Sequence, residues 1–209
     1  MRNRIPIPEG IYGITGDNFS NGKSNLECVK EMIKGGIKII QYRDKKKSIN
    51  EKLKEALEIK KVCKENNVLF IVNDHIDIAL LVDADGVHVG QDDLNPKYVR
   101  QLIGDDKIIG LSTHSPEQGR KANLNPYIDY IGVGPIFPTT TKETAPVGLE
   151  YLDFVVNNLD IPYTAIGGIK EHNINIIKDH GAKRICLVSE IVSANSISSK
   201  VGELYRLLK

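Results

Sequence analysis

The sequence predicts an α/β fold, a (β/α)₈ barrel of the TIM type, formed as one domain over residues 1–209. Three observations lead there. Eight short apolar runs recur, at Ile11–Thr15, Ile37–Tyr42, Val68–Val72, Gly86–Val89, Ile108–Leu111, Tyr130–Val133, Thr164–Ile166 and Ile185–Val188. They are rich in β-branched residues and lack clean alternation, as parallel strands covered on both faces do. Amphipathic segments lie between them, and no composition shift or low-complexity linker divides the chain. That many strand–helix units favour a closed barrel, with an open six-stranded sheet as the alternative.

Several helices announce their ends. Ser48-Ile49-Asn50-Glu51 is a capping box, followed by Leu53, Ala56, Leu57 and Val62 at helical spacing. Asn95-Pro96 opens another helix, with Val99, Leu102 and Ile103 expected on one face. Ser115-Pro116-Glu117-Gln118 supplies an N-cap, a proline at the first helical position and a glutamine able to reach back. The segment Asn173–His180 stops at Gly181, and Val201, Leu204 and Leu208 form the stripe of a last helix.

Composition narrows the function. The chain is 41% hydrophobic and 26% charged, with Lys+Arg 28 against Asp+Glu 27, a net charge of +1. A nucleic-acid or membrane surface would show a strong basic excess, so small-molecule substrates are expected instead. No stretch approaches the ~18–20 apolar residues of a membrane span. The start, Met1-Arg2-Asn3-Arg4 with Pro6 and Pro8, has no signal-peptide core. Cys28, Cys63 and Cys186 are odd in number and scattered, which suits a reducing, cytoplasmic setting. A homo-oligomer is compatible with all of this.

Barrel active sites gather where strands end, and the residues just after these runs are polar. They are Gln41-Tyr42-Arg43-Asp44-Lys45, Asn73-Asp74-His75, Gly90-Gln91-Asp92-Asp93, Ser112-Thr113-His114, Thr139-Thr140-Thr141-Lys142, Gly167-Gly168 and Ser189. Asp74 and Asp93 offer the few hard oxygens that suit a Mg²⁺ completed by water and substrate phosphates. Arg43 and Lys45 can bind the same phosphates. The two aspartates would serve equally well as a helix cap and a turn. Gly167-Gly168 with Ser189 matches the usual phosphate position of barrels, or else merely turns the chain. The Pro135–Gly148 segment reads as a binding loop or lid, with a solvated loop as the alternative.

Other motifs fail. Gly16 to Gly22-Lys23-Ser24 has five residues between its glycines where a P-loop has four, and so reads as a loop before the first helix. Ile131-Gly132-Val133-Gly134 lacks the third glycine of a dinucleotide fingerprint. His75, His88 and His114 share no metal-binding spacing, and each reads as a hydrogen-bonded structural residue.

Six segments together resemble the thiamine-phosphate synthase family: QYRDK (Gln41–Lys45), VNDHIDIAL (Val72–Leu80), GVHVGQDDL (Gly86–Leu94), GLSTHS (Gly110–Ser115), GVGPIFPTTTK (Gly132–Lys142) and AIGGI (Ala165–Ile169). The resemblance implies a transferase of thiamine biosynthesis that joins a hydroxymethylpyrimidine diphosphate to a carboxylated thiazole phosphate. It implies that Gln41, Tyr42, Arg43, Asp44, Lys45, Asn73, Ser112 and Lys142 meet the pyrimidine diphosphate. Arg43, Lys45, Ser112 and Lys142 would be the catalytic residues, and Asp74 and Asp93 would hold one Mg²⁺. It implies that Thr139, Thr140, Thr141, Gly167, Gly168, Val188 and Ser189 bind the thiazole phosphate. Departure of diphosphate would leave a pyrimidine cation, with no protein nucleophile required. Two departures stand out: Gly16 followed by Asp17 where many members carry Asp, and Glu190, expected to point outward. Alternatives are a thiazole tautomerase of the same fold with His114 as base, a non-catalytic binder of phosphate ligands, and a sugar-phosphate isomerase.

Overall fold

A computed structural model describes residues 3–16, 19–139 and 145–209. Asp17, Thr140, Thr141 and Lys142 lie outside the described residues. Among the described residues the chain runs β1 (Gly10–Ile14), α1 (Asn25–Lys34), β2 (Ile39–Tyr42), α2 (Ile49–Glu65), β3 (Leu69–Asn73), α3 (Ile76–Leu81), β4 (Gly86–Val89) and α4 (Pro96–Ile103). It continues through β5 (Ile108–Thr113), α5 (Pro116–Leu124), β6 (Tyr130–Val133), α6 (Gly148–Asn158), β7 (Tyr163–Ile166), α7 (Ile174–Asp179), β8 (Arg184–Leu187), α8 (Ser189–Val192) and α9 (Ile197–Leu208). The strands pair in parallel in sequence order, and β1 pairs with β8, so the barrel is closed. The eight expected strands are all present; Gly86–Val89 and Tyr130–Val133 have the expected bounds, and the other ends shift by at most two residues.

Strand residues alternate between two cores. Ile11, Ile40, Tyr42, Phe70, Val72, Val87, Val89, Ile109 and Ile131 point outward into the layer beneath the helices. Tyr12, Ile14, Ile39, Ile71, Ile108, Tyr130 and Cys186 point inward. Ile7 closes the inner cluster from below. That N-terminal segment is anchored by Ile5 N–H donating to Asp129 Oδ1 (2.8 Å) and by Arg184 Nε donating to the Ile7 carbonyl (3.1 Å).

Local chemistry accounts for the helices. Ser48 and Glu51 form both halves of the expected capping box, and Ser24 with Glu27 forms a second one that the sequence reading did not identify. Asn95 and Ser115 cap α4 and α5, each with proline in the first turn. Gln118 reaches the His114 N–H (2.7 Å) rather than its own N-cap. Gly181 takes a left-handed φ of +81° after α7. Two faces differ from expectation. Leu102 is 55% and Leu57 50% exposed, because α4 buries Val99 and Ile103 while α2 buries Ala56, Ile59 and Cys63. The α4 face instead includes Arg100, whose Nη2 meets Asp129 Oδ2 at 2.8 Å with side chains 5% and 0% exposed. Asp129 also accepts from Ile109 N–H, and Arg100 Nη1 donates to the carbonyls of Gly104 and Lys107.

Asp129→Ala would leave the Arg100 charge buried without its partner. It is expected to cost about 3–5 kcal/mol of stability, read from a lowered urea midpoint at unchanged slope.

Candidate active site

At the C-terminal ends of the strands, inward-facing residues line three adjoining cavities. The central one is bounded by Gln41, His114, Tyr130 and Thr164 with the apolar Ile14, Ile166 and Val188. On one side it shares Arg43, Asn73, His88 and Ser112 with a cavity completed by Lys45, Asp74, Gly90 and Asp93. On the other it shares Thr139, Gly167 and Val188 with a cavity completed by Gly168, Lys170, His172 and Ser189. The site is therefore a row: a carboxylate and cation end, a largely apolar middle, and a glycine-rich end carrying one lysine.

Two-residue alternation divides the Gln41–Lys45 segment. Gln41, Arg43 and Lys45 face the cavities, whereas Tyr42 and Asp44 turn away from them. The Tyr42 hydroxyl donates to Glu55 (2.8 Å), and Asp44 accepts from the backbone N–H groups of Lys46 and Lys47 (2.9 and 2.8 Å) and pairs with Lys47 Nζ (3.0 Å). Burial alone would raise the Asp44 carboxyl, yet these hydrogen bonds hold it below the usual carboxylate range. Both side chains thus brace the loop from behind. The Thr15 hydroxyl clips the loop to β1, accepting from Arg43 N–H (2.8 Å) and donating to the Arg43 carbonyl (2.9 Å). Arg43 Nη2 is buried without a hydrogen-bond partner among the described residues. A buried guanidinium nitrogen left open beside a cavity suits an arriving anion.

Asp74 and Asp93 come together in the cavity that holds Arg43 and Lys45. Asp74 is exposed, with a left-handed φ of +61° and its N–H bonded to the His88 carbonyl (2.9 Å). A non-glycine residue in that conformation is strained, and such strain concentrates at functional sites. Asp93 Oδ2 closes the turn by accepting from Gly90 N–H (2.6 Å), so its other oxygen remains for a ligand. Asp93 therefore closes a turn and also lines the cavity. Among the described residues no three His, Cys, Asp or Glu side chains converge. The donor set fits a hard cation that takes its remaining ligands from water and a phosphorylated substrate.

At the opposite end Gly167 and Gly168 have φ of +99° and +65°. A Cβ on Gly168 would lie 2.5 Å from the Pro138 carbonyl oxygen. Lys170 was not singled out from the sequence, because it follows the strand-end glycines and resembles any surface lysine. Its Nζ donates to Ser189 Oγ (2.8 Å) and pairs with Glu190 Oε2 (3.3 Å). Glu190 thus turns sideways to Lys170, and is absent from the residues that line this cavity.

The three histidines near the strand ends are engaged. His75 meets Lys52 (3.1 Å), His88 lies between Tyr130 and Ser112, and His114 Nδ1 donates to the Gly134 carbonyl (2.5 Å). In the loop before α1, Lys23 Nζ donates to the Ala194 carbonyl (3.1 Å).

A closed barrel with cation-bearing cavities at both sides of an apolar middle has the layout of barrel enzymes whose ligands carry anionic groups. Comparison with known proteins narrows this. The family model for thiamine monophosphate synthase matches residues 11–191. The chain is 57% identical over 200 residues to a thiamine-phosphate synthase of Pelotomaculum thermopropionicum, covering 95% of this chain and 91% of the relative. It is 55% identical over 196 residues to one of Lawsonia intracellularis, covering 93% and 90%. A solved thiamine phosphate pyrophosphorylase from Pyrococcus furiosus superposes with a TM-score of 0.86 at 32% identity, over 95% of this chain and 94% of that one. The chain belongs to the thiamine monophosphate synthase family and is a transferase.

Gly168→Ala would combine backbone strain with a clash against the Pro138 carbonyl. A phosphate-bearing ligand seated against this backbone should then bind roughly tenfold or more weakly, the equivalent of one charge-assisted hydrogen bond, as read by calorimetric titration.

Proposed function

We propose that this chain, acting as one catalytic domain, joins hydroxymethylpyrimidine diphosphate to a carboxylated thiazole phosphate and releases diphosphate. The observation that carries the reading is the order of chemistry along the three joined cavities. A diphosphate, two flat rings and a phosphate laid end to end would meet Asp74, Asp93, Arg43 and Lys45 first, the apolar middle next, and Gly168, Lys170 and Ser189 last.

In this reading Asp74 and Asp93 hold one Mg²⁺, which when bound neutralises the diphosphate oxygens. Arg43, Lys45 and Lys142 take up the charge that develops as the C–O bond breaks. Gln41, Asn73 and Ser112 hold the pyrimidine, whose amino group stabilises the methylene cation left behind. The apolar Ile14, Ile166 and Val188 keep water from capturing that cation. Thr139, Thr140, Thr141, Gly167, Gly168, Val188, Ser189 and Lys170 hold the thiazole phosphate so that the ring nitrogen faces the cation. Its lone pair forms the new C–N bond and diphosphate leaves with the C–O electron pair; the thiazole carboxylate departs as carbon dioxide, leaving its bonding pair on the ring carbon, which takes up a proton from solvent. Tyr42 and Asp44 contribute by bracing the loop that carries Arg43.

The near-neutral chain, with Cys28, Cys63 and Cys186 all buried as free thiols, supports a cytoplasmic enzyme of small substrates rather than a nucleic-acid or membrane binder. The tautomerase alternative would use His114, which also lines the central cavity, but it has no need for the cations and carboxylates at the diphosphate end.

Purified protein given both substrates should form thiamine phosphate with Mg²⁺ and none with EDTA. Intact substrates in both arms would reject the reading and make His114 the base to test. Asp93→Ala is expected to lower Mg²⁺-dependent turnover by about 100-fold; wild-type turnover would remove Asp93 from the metal site. Lys170→Ala should raise KM for the thiazole phosphate by roughly tenfold while leaving KM for the pyrimidine diphosphate unchanged.

A further inference from the structure

A hydrogen-bond chain crosses the barrel beneath the central cavity, and the mechanism above does not use it. Gln41 Nε2 donates to the Tyr12 hydroxyl (3.1 Å), and the Tyr12 and Tyr130 hydroxyls are 2.7 Å apart. The Tyr130 hydroxyl lies 2.9 Å from His88 Nδ1, and His88 Nε2 lies 2.9 Å from Ser112 Oγ. Gln41, Tyr12, Tyr130 and His88 are 3%, 2%, 0% and 8% exposed. The backbone makes room for them. A Cβ on Gly110 would fall 2.3 Å from Tyr130 Cζ and 2.4 Å from His88 Nδ1.

Proton counting gives this chain a direction. Each hydroxyl carries one proton, and a neutral imidazole carries one between its two nitrogens. The Gln41 amide donates to Tyr12, and the acceptor within reach of the Tyr12 proton is the Tyr130 hydroxyl. The Tyr130 proton then serves His88 Nδ1. An imidazole that accepts at Nδ1 carries its proton at Nε2, and donates it to Ser112. Burial raises the ionisation of both phenols far above their ordinary value, so neither loses the proton it passes along. Ser112 then has its own proton left over, and Gln41 has its carbonyl oxygen left over. Both residues line the central cavity, and Ser112 also lines the carboxylate end.

We propose that Gln41, Tyr12, Tyr130 and His88 form a one-way relay that compels Ser112 to donate a hydrogen bond into the cavity, toward the oxygen that departs with the diphosphate. This rests on the diphosphate reading above. Ser112 transfers no proton; it stabilises charge that grows as the C–O bond lengthens, and the aligned chain behind it strengthens that donor. Tyr130 and His88 are positioning residues that act through Ser112. At the other end the Gln41 oxygen accepts from the amino group of the pyrimidine, so one relay sets the polarity of two substrate contacts.

The direct test is long-range ¹H–¹⁵N correlation NMR on the ¹⁵N-labelled free protein, with His88 assigned by the signals lost in His88→Gln. The expected result is a neutral ring protonated at Nε2. A proton on Nδ1, or a doubly protonated ring, would reverse or break the chain and overturn the proposal. The second arm is kinetic. Tyr130→Phe keeps the ring and removes the link, and should lower kcat by about tenfold with little change in KM for the pyrimidine diphosphate. Unchanged kcat in Tyr130→Phe overturns the relay whatever Ser112→Ala does. If the wild type makes no product, the diphosphate reading fails on its own, while the tautomer of His88 still decides the relay.

Discussion

A closed barrel of eight parallel strands leaves an interior only wide enough for side chains to fill. Every second strand residue must enter that space, and none can retreat to an edge. The lower interior meets the constraint with Ile39, Ile71 and Ile108, above the plug made by Ile7. The upper interior holds polar groups instead, and each buried one must find a partner. Tyr12, Tyr130, His88, Gln41 and Ser112 solve this by bonding to one another. Arg43 Nη2 and the Thr164 hydroxyl are buried without partners among the described residues, and both residues line the central cavity. Unmet hydrogen-bonding capacity there marks where a ligand belongs.

The same constraint separates building from chemistry along single segments. Asn25, Asp44, Lys47 and Glu55 form a charged cluster on the outer side of the Gln41–Lys45 loop. Its members bind one another and hold the loop, so Arg43 can stay open toward the cavity. At the foot of the barrel, Arg100 and Asp129 tie α4 to the start of β6 and to the N-terminal segment through Ile5. Polar groups there hold the frame, whereas those at the mouth face a ligand.

Much of this was legible in the sequence because its causes are local. Eight apolar runs, a capping box at Ser48 and the prolines after Asn95 and Ser115 depend on residues within a few positions of each other. The polar strand ends followed once the barrel was assumed. A period of two, applied past Gln41, would also have turned Tyr42 and Asp44 outward. The Leu102 error was one of helical phase, since Arg100 occupies the buried face through an ion pair with a residue far along the chain. The link between Tyr12 and Tyr130 spans 118 positions, and no spacing rule reaches that far. Its one trace in the sequence is Gly110, whose reason is the volume of side chains borne by the neighbouring strands.

Glu190 shows how a residue that looks unfavourable can be absorbed. A carboxylate next to Ser189 would repel a phosphate if both faced the same cavity. Its oxygens are instead engaged sideways, by Lys170 Nζ at 3.3 Å and by Glu171 N–H at 3.4 Å. The lysine gains from this as well. A long flexible ammonium loses rotamer freedom when it is ordered, and here Glu190 and Ser189 order it before any ligand arrives. Lys170 has more than one donor hydrogen, so an anion can be met without releasing either partner. The glutamate then costs the anion little, because its charge is already balanced by the lysine it positions.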